Sequence, residues 1–261
     1  MTDLAKSSGT LRRVYGALLL VPVVALVWFD QMAAGVILAC LGCLMGLEIK
    51  RITGLPLVAG LFVLALISVQ SFPHWMLGLA FTMNVGLALM GFGLVAAIIV
   101  GIFSSRLAGL FVGLLCLCLA SGGLLVSQPY GHIMLVALAA IIAACDSAAY
   151  FVGRKIGGPK LWPRVSPNKT ISGSVGGLVA AMAITSLVAS VFGIDDLIDA
   201  MIMGVVIGGL SQAGDLMESA VKRRLDVKDS GAILPGHGGL LDRFDGYIFV
   251  IPAVYLYIFG F

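Results

Sequence analysis

Apolar residues run along this chain in long tracts that short polar segments separate. Each tract is close to the roughly 20 apolar residues that one helix needs to cross a bilayer. The pattern therefore predicts an all-α, polytopic integral membrane protein with about nine transmembrane helices. The first two tracts are short and turn at Asp30, so a shallow hairpin that does not fully cross the membrane stays an alternative. The nine tracts cover approximately residues 14–29, 31–47, 55–71, 75–103, 107–126, 131–153, 173–193, 198–221 and 244–260.

The composition excludes a water-soluble globular fold. Hydrophobic residues make up 60% of the chain and charged residues 11%, against roughly 45–50% and about 25% in globular proteins. Residues 55–105 and 107–145 contain no Lys, Arg, Asp or Glu. These apolar runs are continuous, whereas the strands of a membrane β-barrel alternate apolar and polar residues. A helical membrane protein is the class that remains.

Basic residues predict how the helices are oriented. With a cytoplasmic N-terminus, all 16 Lys and Arg residues fall on the cytoplasmic side of the nine spans, as the positive-inside rule requires. We divide the chain into N-terminal transmembrane helices over 1–130, with about five spans, and a C-terminal transmembrane region over 131–261. Two cytoplasmic loops of that region, 154–172 and 222–243, hold most of the candidate chemistry.

Charged residues are concentrated around these two loops, since residues 146–169 and 215–245 carry 17 of the 29. Asp146 is predicted to lie about seven residues inside the end of its helix, ~10 Å below the interface. A carboxylate at that depth needs a partner, a cation or water, so a functional site and a structural ion pair are both open. Ser166 and Lys169 follow in a loop suited either to phosphate oxygens or to lipid headgroups.

The second segment begins with one polar helix face. Asp215, Glu218, Ser219 and Lys222 are spaced i, i+3, i+4 and i+7, so two carboxylates, a hydroxyl and an ammonium group share that face. An exposed helix end with ion pairs is the alternative. Beyond it, glycines surround His237 and permit close approach of a ligand to the backbone.

Asp242, Arg243 and Asp245 open the last span. Asp242 is either a helix N-cap or a ligand-binding group. An Asp at the cytoplasmic mouth of each of two spans, with basic residues between them, offers hard oxygens to a divalent cation and positive charge to a polyphosphate.

Residues 219–245, SAVKRRLDVKDSGAILPGHGGLLDRFD, resemble the signature of the phosphatidate cytidylyltransferase (CDP-diacylglycerol synthase) family. Residues 146–150 and 166–170 are similar to more N-terminal blocks of that family, and the detailed likeness covers roughly 130–261. Two departures are Ser147-Ala148 in place of Thr-Gly and Ser172 in place of Glu. A catalytic duty for that Glu is therefore not carried over.

The resemblance implies that CTP and phosphatidic acid react to give CDP-diacylglycerol and pyrophosphate in phospholipid biosynthesis. We hypothesise that Asp215 and Asp242 hold Mg²⁺, with a second cation left open. His237 either donates to a phosphate or orients a carboxylate. The expected catalytic residues are Asp215, Asp242, Lys222, Asp245 and His237, and the expected substrate-binding residues are Asp146, Ser166, Lys169, Ser219, Arg223, Lys228, Asp229, Gly238, Gly239 and Arg243.

We expect the site to face the cytoplasm from a bacterial-type inner membrane, in contact with membrane lipids and without a nucleic-acid partner. Whether the chain forms a homodimer stays open. One alternative function is a CTP-dependent polyprenol or dolichol kinase, whose C-terminal region is similar. Another is an ion-coupled transporter that uses Asp146 and Asp215. Transport predicts broken helices in both halves of a chain, whereas both of these residues belong to the C-terminal half.

Overall fold

A computed structural model describes residues 22–71, 83–194, 196–231 and 239–259. Residues 22–29 are helical, and this helix ends just before Asp30. The elements that follow are helices α1 (Gln31–Thr53), α2 (Leu57–Ser71), α3 (Met83–Phe103), α4 (Arg106–Val126) and α5 (Gly131–Ile156), strands β1 (Lys160–Trp162) and β2 (Ser166–Thr170), and helices α6 (Ile171–Val191), α7 (Leu197–Arg224), α8 (Leu241–Phe244) and α9 (Tyr247–Phe259).

The prediction of an all-α, polytopic membrane protein is confirmed. Within the described ranges, α1, α4, α5, α6 and α7 are long and apolar enough to cross a membrane. Shorter apolar helices cover Leu57–Ile67, Leu89–Phe103 and Tyr247–Ile258. The first half of the first predicted tract and the start of the fourth lie outside the described residues. The count of nine spans and the cytoplasmic N-terminus stay predictions.

Helix α1 begins at the turn that the sequence predicts. Asp30 is its N-cap, and the Asp30 carboxylate accepts a 2.8 Å hydrogen bond from the amide of Met32. The helix continues past the predicted end at residue 47 and stops at Gly54, whose φ of 63° is a left-handed conformation that glycine adopts without strain. Of the six additional residues, Glu48, Ile49 and Thr53 are buried, whereas Arg51 is exposed.

The loop predicted over 154–172 contains a short antiparallel hairpin. Strands β1 and β2 pair Lys160 with Thr170 and Trp162 with Ser166. Thr170 is also the N-cap of α6, because its hydroxyl accepts a 3.1 Å hydrogen bond from the amide of Gly173. The hairpin is therefore attached to the start of a helix. This attachment stabilises it, because an isolated two-stranded hairpin is only marginally stable.

The last predicted tract, 244–260, is interrupted rather than continuous. The chain forms the single turn α8, passes Asp245 and Gly246, and then enters α9. Leu241 is buried in a cluster with Met45 and Phe111 of the N-terminal helices, and α9 packs against α4 and α7. The end of the C-terminal region is thus packed into the N-terminal helices.

Candidate functional site

Asp215 and Lys169 form an ion pair that joins α7 to strand β2. The two residues are 46 positions apart in sequence, and the hairpin brings them together. Ser219, one turn further along α7, donates a 3.4 Å hydrogen bond to Oδ1 of Asp215. The side chains of Lys169 and Asp215 are 29% and 28% exposed, so a ligand can reach both.

Lys222 bridges two carboxylates at the end of α7. Its Nζ donates to Oδ1 of Asp242 at 2.7 Å and to Oε2 of Glu218 at 3.1 Å. The Glu218 side chain is 2% exposed, and with so little water around it the charged form of the carboxylate is stabilised by a nearby cation. The ammonium group therefore holds α7 and α8 together through charge.

Asp242 also fixes the backbone of the preceding segment. Its Oδ2 accepts hydrogen bonds from the amides of Ser230 at 3.1 Å and Gly239 at 2.8 Å. Burial raises the pKa of Asp242, but Lys222 and these amides outweigh that effect and hold the pKa below its ordinary value. Leu240 is the N-cap of α8, so the alternative of Asp242 as an N-cap is wrong.

Asp146 and Asp245 lie close enough to Asp215 for their charges to interact with it. Gly214 makes this proximity possible, because a side chain at that position would collide with the carbonyl oxygen of Asp245. Arg243 and Lys169 add opposing positive charge around Asp146. Three carboxylates from α5, α7 and the turn before α9 are thus near enough to influence one another's charge, beside basic groups, although they are far apart in sequence.

The remaining predicted residues lie around this centre. Arg223, Lys228, Asp229 and Arg243 are exposed, Ser166 is half-buried in β2, and Gly239 is buried. Lys228 and Asp229 line a cavity of about 430 Å³ together with Arg51. The predictions for His237 and Gly238 lie outside the described residues.

Glu48 and Arg51 of α1 are residues of this region that the sequence analysis missed. Arg51 reaches the cavity, and Glu48 accepts hydrogen bonds from Ser230, Leu240 and Leu241. One signal in the sequence could have identified Glu48, since it is the only acidic residue between Asp30 and Asp146. A single carboxylate in so long an apolar region indicates a specific buried partner.

The two carboxylates that the sequence analysis assigned to Mg²⁺, Asp215 and Asp242, differ in how many protein donors surround them. Over residues 22–71, 83–194, 196–231 and 239–259, no three His, Cys, Asp or Glu side chains are grouped to hold a metal ion. Mg²⁺ commonly takes only one or two protein carboxylates and completes its coordination with phosphates and water. Asp215 fits that description best, because Oδ1 has only a long contact with Ser219, whereas protein donors surround the Asp242 carboxylate.

Comparisons with known proteins agree with this chemistry. The model of the family described as "Cytidylyltransferase family" matches residues 10–261. A protein of Brucella suis biovar 1 (strain 1330) named phosphatidate cytidylyltransferase is 50% identical over 133 residues, which cover 51% of this chain and 48% of the relative. A Bacillus subtilis (strain 168) protein of the same name is 45% identical over 129 residues, 49% of this chain and 48% of that protein. The chain spans about half the length of the curated relatives it matches.

Proposed function

This chain belongs to the cytidylyltransferase family, and we propose that it is a phosphatidate cytidylyltransferase that converts CTP and phosphatidic acid to CDP-diacylglycerol and pyrophosphate. The names of its relatives support this substrate pair. The observation that carries the proposal is the meeting of Lys169–Asp215 and Lys222–Asp242 at the end of α7. Cations and a metal-binding carboxylate together would reduce the repulsion between two negatively charged substrates.

In the proposed reaction a phosphate oxygen of phosphatidic acid attacks the α-phosphorus of CTP. The bond from that phosphorus to the oxygen of the β-phosphate breaks, and pyrophosphate leaves. Phosphatidic acid is already anionic, so the step requires no general base. Most of the rate enhancement then comes from positioning and from neutralising charge on the phosphate oxygens.

The basic residues are assigned to the phosphates. When substrates bind, the ammonium groups of Lys169 and Lys222 donate hydrogen bonds to phosphate oxygens as well as to the carboxylates. Arg223, Lys228 and Arg243, which are exposed, contact the triphosphate or the phosphatidate headgroup. Ser166, Ser219 and Asp229 supply further polar contacts. Gly238 and Gly239 allow close approach of the backbone, and His237 donates to a phosphate or orients a carboxylate.

Asp215 and Asp242 would hold Mg²⁺, with Asp146 and Asp245 as supporting negative charges; whether a second cation binds stays open. The bound cation would neutralise negative charge on the nonbridging and leaving oxygens. Lys169 holds the Asp215 carboxylate in place, and Lys222 with the amides of Ser230 and Gly239 holds the Asp242 carboxylate.

The location of the charges suits one lipid and one soluble substrate. Asp215 and Lys222 lie near the end of a helix long and apolar enough to cross a membrane, so acyl chains can stay in the bilayer while CTP comes from water. We propose that this end faces the cytoplasm of a bacterial-type inner membrane. A homodimer is compatible with this arrangement but is not required by it.

The test is a transfer assay with purified protein in detergent micelles containing phosphatidic acid and Mg²⁺. CTP is labelled either on cytidine or on the γ-phosphate. We expect the cytidine label in the lipid and the γ-label in pyrophosphate, with activity lost on adding EDTA. If the γ-label enters an added polyprenol while cytidine does not enter phosphatidate, the chain is a kinase instead. If neither label enters lipid, both activities are excluded.

A further inference from the structure

Glu48 connects the N-terminal helices to the segment that carries Asp242. The Glu48 side chain is 2% exposed and lies near the end of α1. Oε1 accepts a 2.8 Å hydrogen bond from the amide of Leu240, and Oε2 accepts one of 2.8 Å from the amide of Leu241. The hydroxyl of Ser230 also donates to Oε2, at 3.2 Å. These partners are 182 to 193 positions away in sequence.

Glu48 and Asp242 bind the same two stretches of backbone from different sides. Ser230 gives its hydroxyl to Glu48 and its amide to Asp242. At the other stretch, Gly239 gives its amide to Asp242 while Leu240 gives its amide to Glu48. The two carboxylates therefore hold the backbone at Ser230 and at residues 239–241 together, and displacement of either carboxylate disturbs the contacts of the other.

The space around Glu48 leaves little freedom for this arrangement. A Cβ atom on Gly231 would collide with Oε1 of Glu48, and one on Gly239 would lie 2.9 Å from the same oxygen. Such close backbone approach is possible only because both residues are glycines. Hydrogen-bond donors and glycines thus surround one buried carboxylate, which makes the contact specific.

The anchored segment also forms a wall of the 430 Å³ cavity. Ser230 and Gly231 line that cavity together with Lys228 and Asp229, and Arg51 faces them one turn after Glu48 on α1. A shift of Ser230 therefore moves a basic cavity wall as well as the backbone around Asp242.

We propose that Glu48 is a positioning residue for the transfer reaction: it holds Ser230 and residues 239–241 in place, so that Asp242, Lys222 and the cavity wall keep their reactive arrangement. This inference rests on the proposed function for its effect on activity. It gives the N-terminal helices a part in catalysis, although the predicted catalytic residues all come from the C-terminal region. Glu48 acts through hydrogen bonds to the backbone and does not itself contact substrate.

The test compares wild type, Glu48→Gln and a matched control, Asp30→Asn, at the opposite end of α1. Gln keeps the size of Glu48 but replaces one acceptor oxygen by an NH₂ group, which would face a donor. We expect kcat to fall about 10- to 100-fold and KM for CTP to rise several-fold in Glu48→Gln. Asn is as good an N-cap as Asp, so Asp30→Asn should stay within about twofold of wild type. A partly unfolded population would lower kcat alone.

Hydrogen–deuterium exchange supplies a readout that does not depend on activity. We expect faster exchange in Glu48→Gln at residues 230 and 239–241, with unchanged exchange in α4. Wild-type kinetics together with wild-type exchange in that segment would overturn the proposal, as would faster exchange spread evenly over all helices. If wild type transfers no cytidylyl group, the proposed function fails, and local exchange alone decides whether Glu48 anchors the segment.

A milder variant keeps the proposal testable if Glu48→Gln does not fold. Ser230→Ala removes one of the three donors, and we expect a decrease of a few-fold in kcat/KM with locally faster exchange. Where Glu48→Gln does fold, adding Ser230→Ala to it should change little, because contacting residues are energetically coupled. Unchanged activity and exchange in Ser230→Ala, or fully additive losses in the double variant, would contradict the inference.

Discussion

The two ends of α7 both carry acidic residues, but they use them differently. At the N-terminal end, Asp196 accepts 3.1 Å hydrogen bonds from the amides of Ile198 and Asp199, within its own first turn. At the C-terminal end, Asp215 pairs with a lysine 46 residues away and Lys222 with an aspartate 20 residues away. The first arrangement caps the start of the helix. The second joins several elements, and only that one can gather charge around a ligand.

The largest difference between the two ends should appear in catalysis. Asp215→Asn removes a charge that we assign to the cation, so kcat should fall on the order of 100- to 1,000-fold. Asp199→Asn changes the same residue type at the exposed opposite end and should leave kcat within about twofold. The transfer assay measures both variants. Near-normal activity of Asp215→Asn would remove this residue from the proposed metal site.

Stability should respond most strongly to Lys222. Lys222→Met leaves the buried Glu218 carboxylate and Asp242 without their shared cation, and we expect a loss of about 3 kcal/mol in the free energy of unfolding. Arg224→Met, on the same helix and exposed, is the matched control and should change little. Thermal unfolding in detergent compares the two. Equal midpoints for both variants would mean that the bridge contributes no net stability.

The pH dependence of stability should reveal the contribution of Asp242, which pairs with Lys222 at the C-terminal end of α7. Because the pKa of Asp242 lies below its ordinary value in the folded protein, its contribution is complete above about pH 4, the unfolded value. The contribution is lost as the pH falls through the folded pKa. The unfolding midpoints of wild type and Asp242→Asn, measured between pH 7 and pH 3, should therefore converge below about pH 4. A constant difference across that range would contradict this assignment.

The smallest effect should come from the helix cap. Asp196→Ala removes two local hydrogen bonds and should cost about 1 kcal/mol of stability, with kcat within about twofold of wild type. The same unfolding and transfer measurements apply. A large loss of activity in Asp196→Ala would mean that the two ends of α7 are not functionally distinct.

Much of the fold follows from local sequence, and much of the site does not. Apolar length predicts the long helices, and the Asp30 turn is visible in the pattern of the chain. The polar face of Asp215, Ser219 and Lys222 is also predictable, since it depends only on helical periodicity. The pairing of Asp215 with Lys169 is not, because it requires the path of the chain between α5 and α6.

For Glu48, the sequence indicates that a partner exists but does not identify it. Its position in an apolar region signals a buried partner, but nothing local specifies backbone amides almost 200 residues later. The break between α8 and α9 was missed for a related reason. The sequence of 244–260 is apolar after Asp245 and marks no boundary between α8 and α9. In the structure, a Cβ atom at position 246 would lie 2.7 Å from the hydroxyl of Ser211 of α7, so the chain there is constrained by a distant helix.

The hairpin makes the ion pair of Lys169 depend on backbone length as well as on residue type. Between the pairs Lys160–Thr170 and Trp162–Ser166, three residues of β2 lie opposite the single residue 161 of β1. Successive side chains of a strand point to opposite faces, and a bulge redirects them. Deleting one residue from 167–168 would therefore turn position 169 away from Asp215 even if its lysine were kept. In this small ribbon, the number of residues selects which side chain faces Asp215.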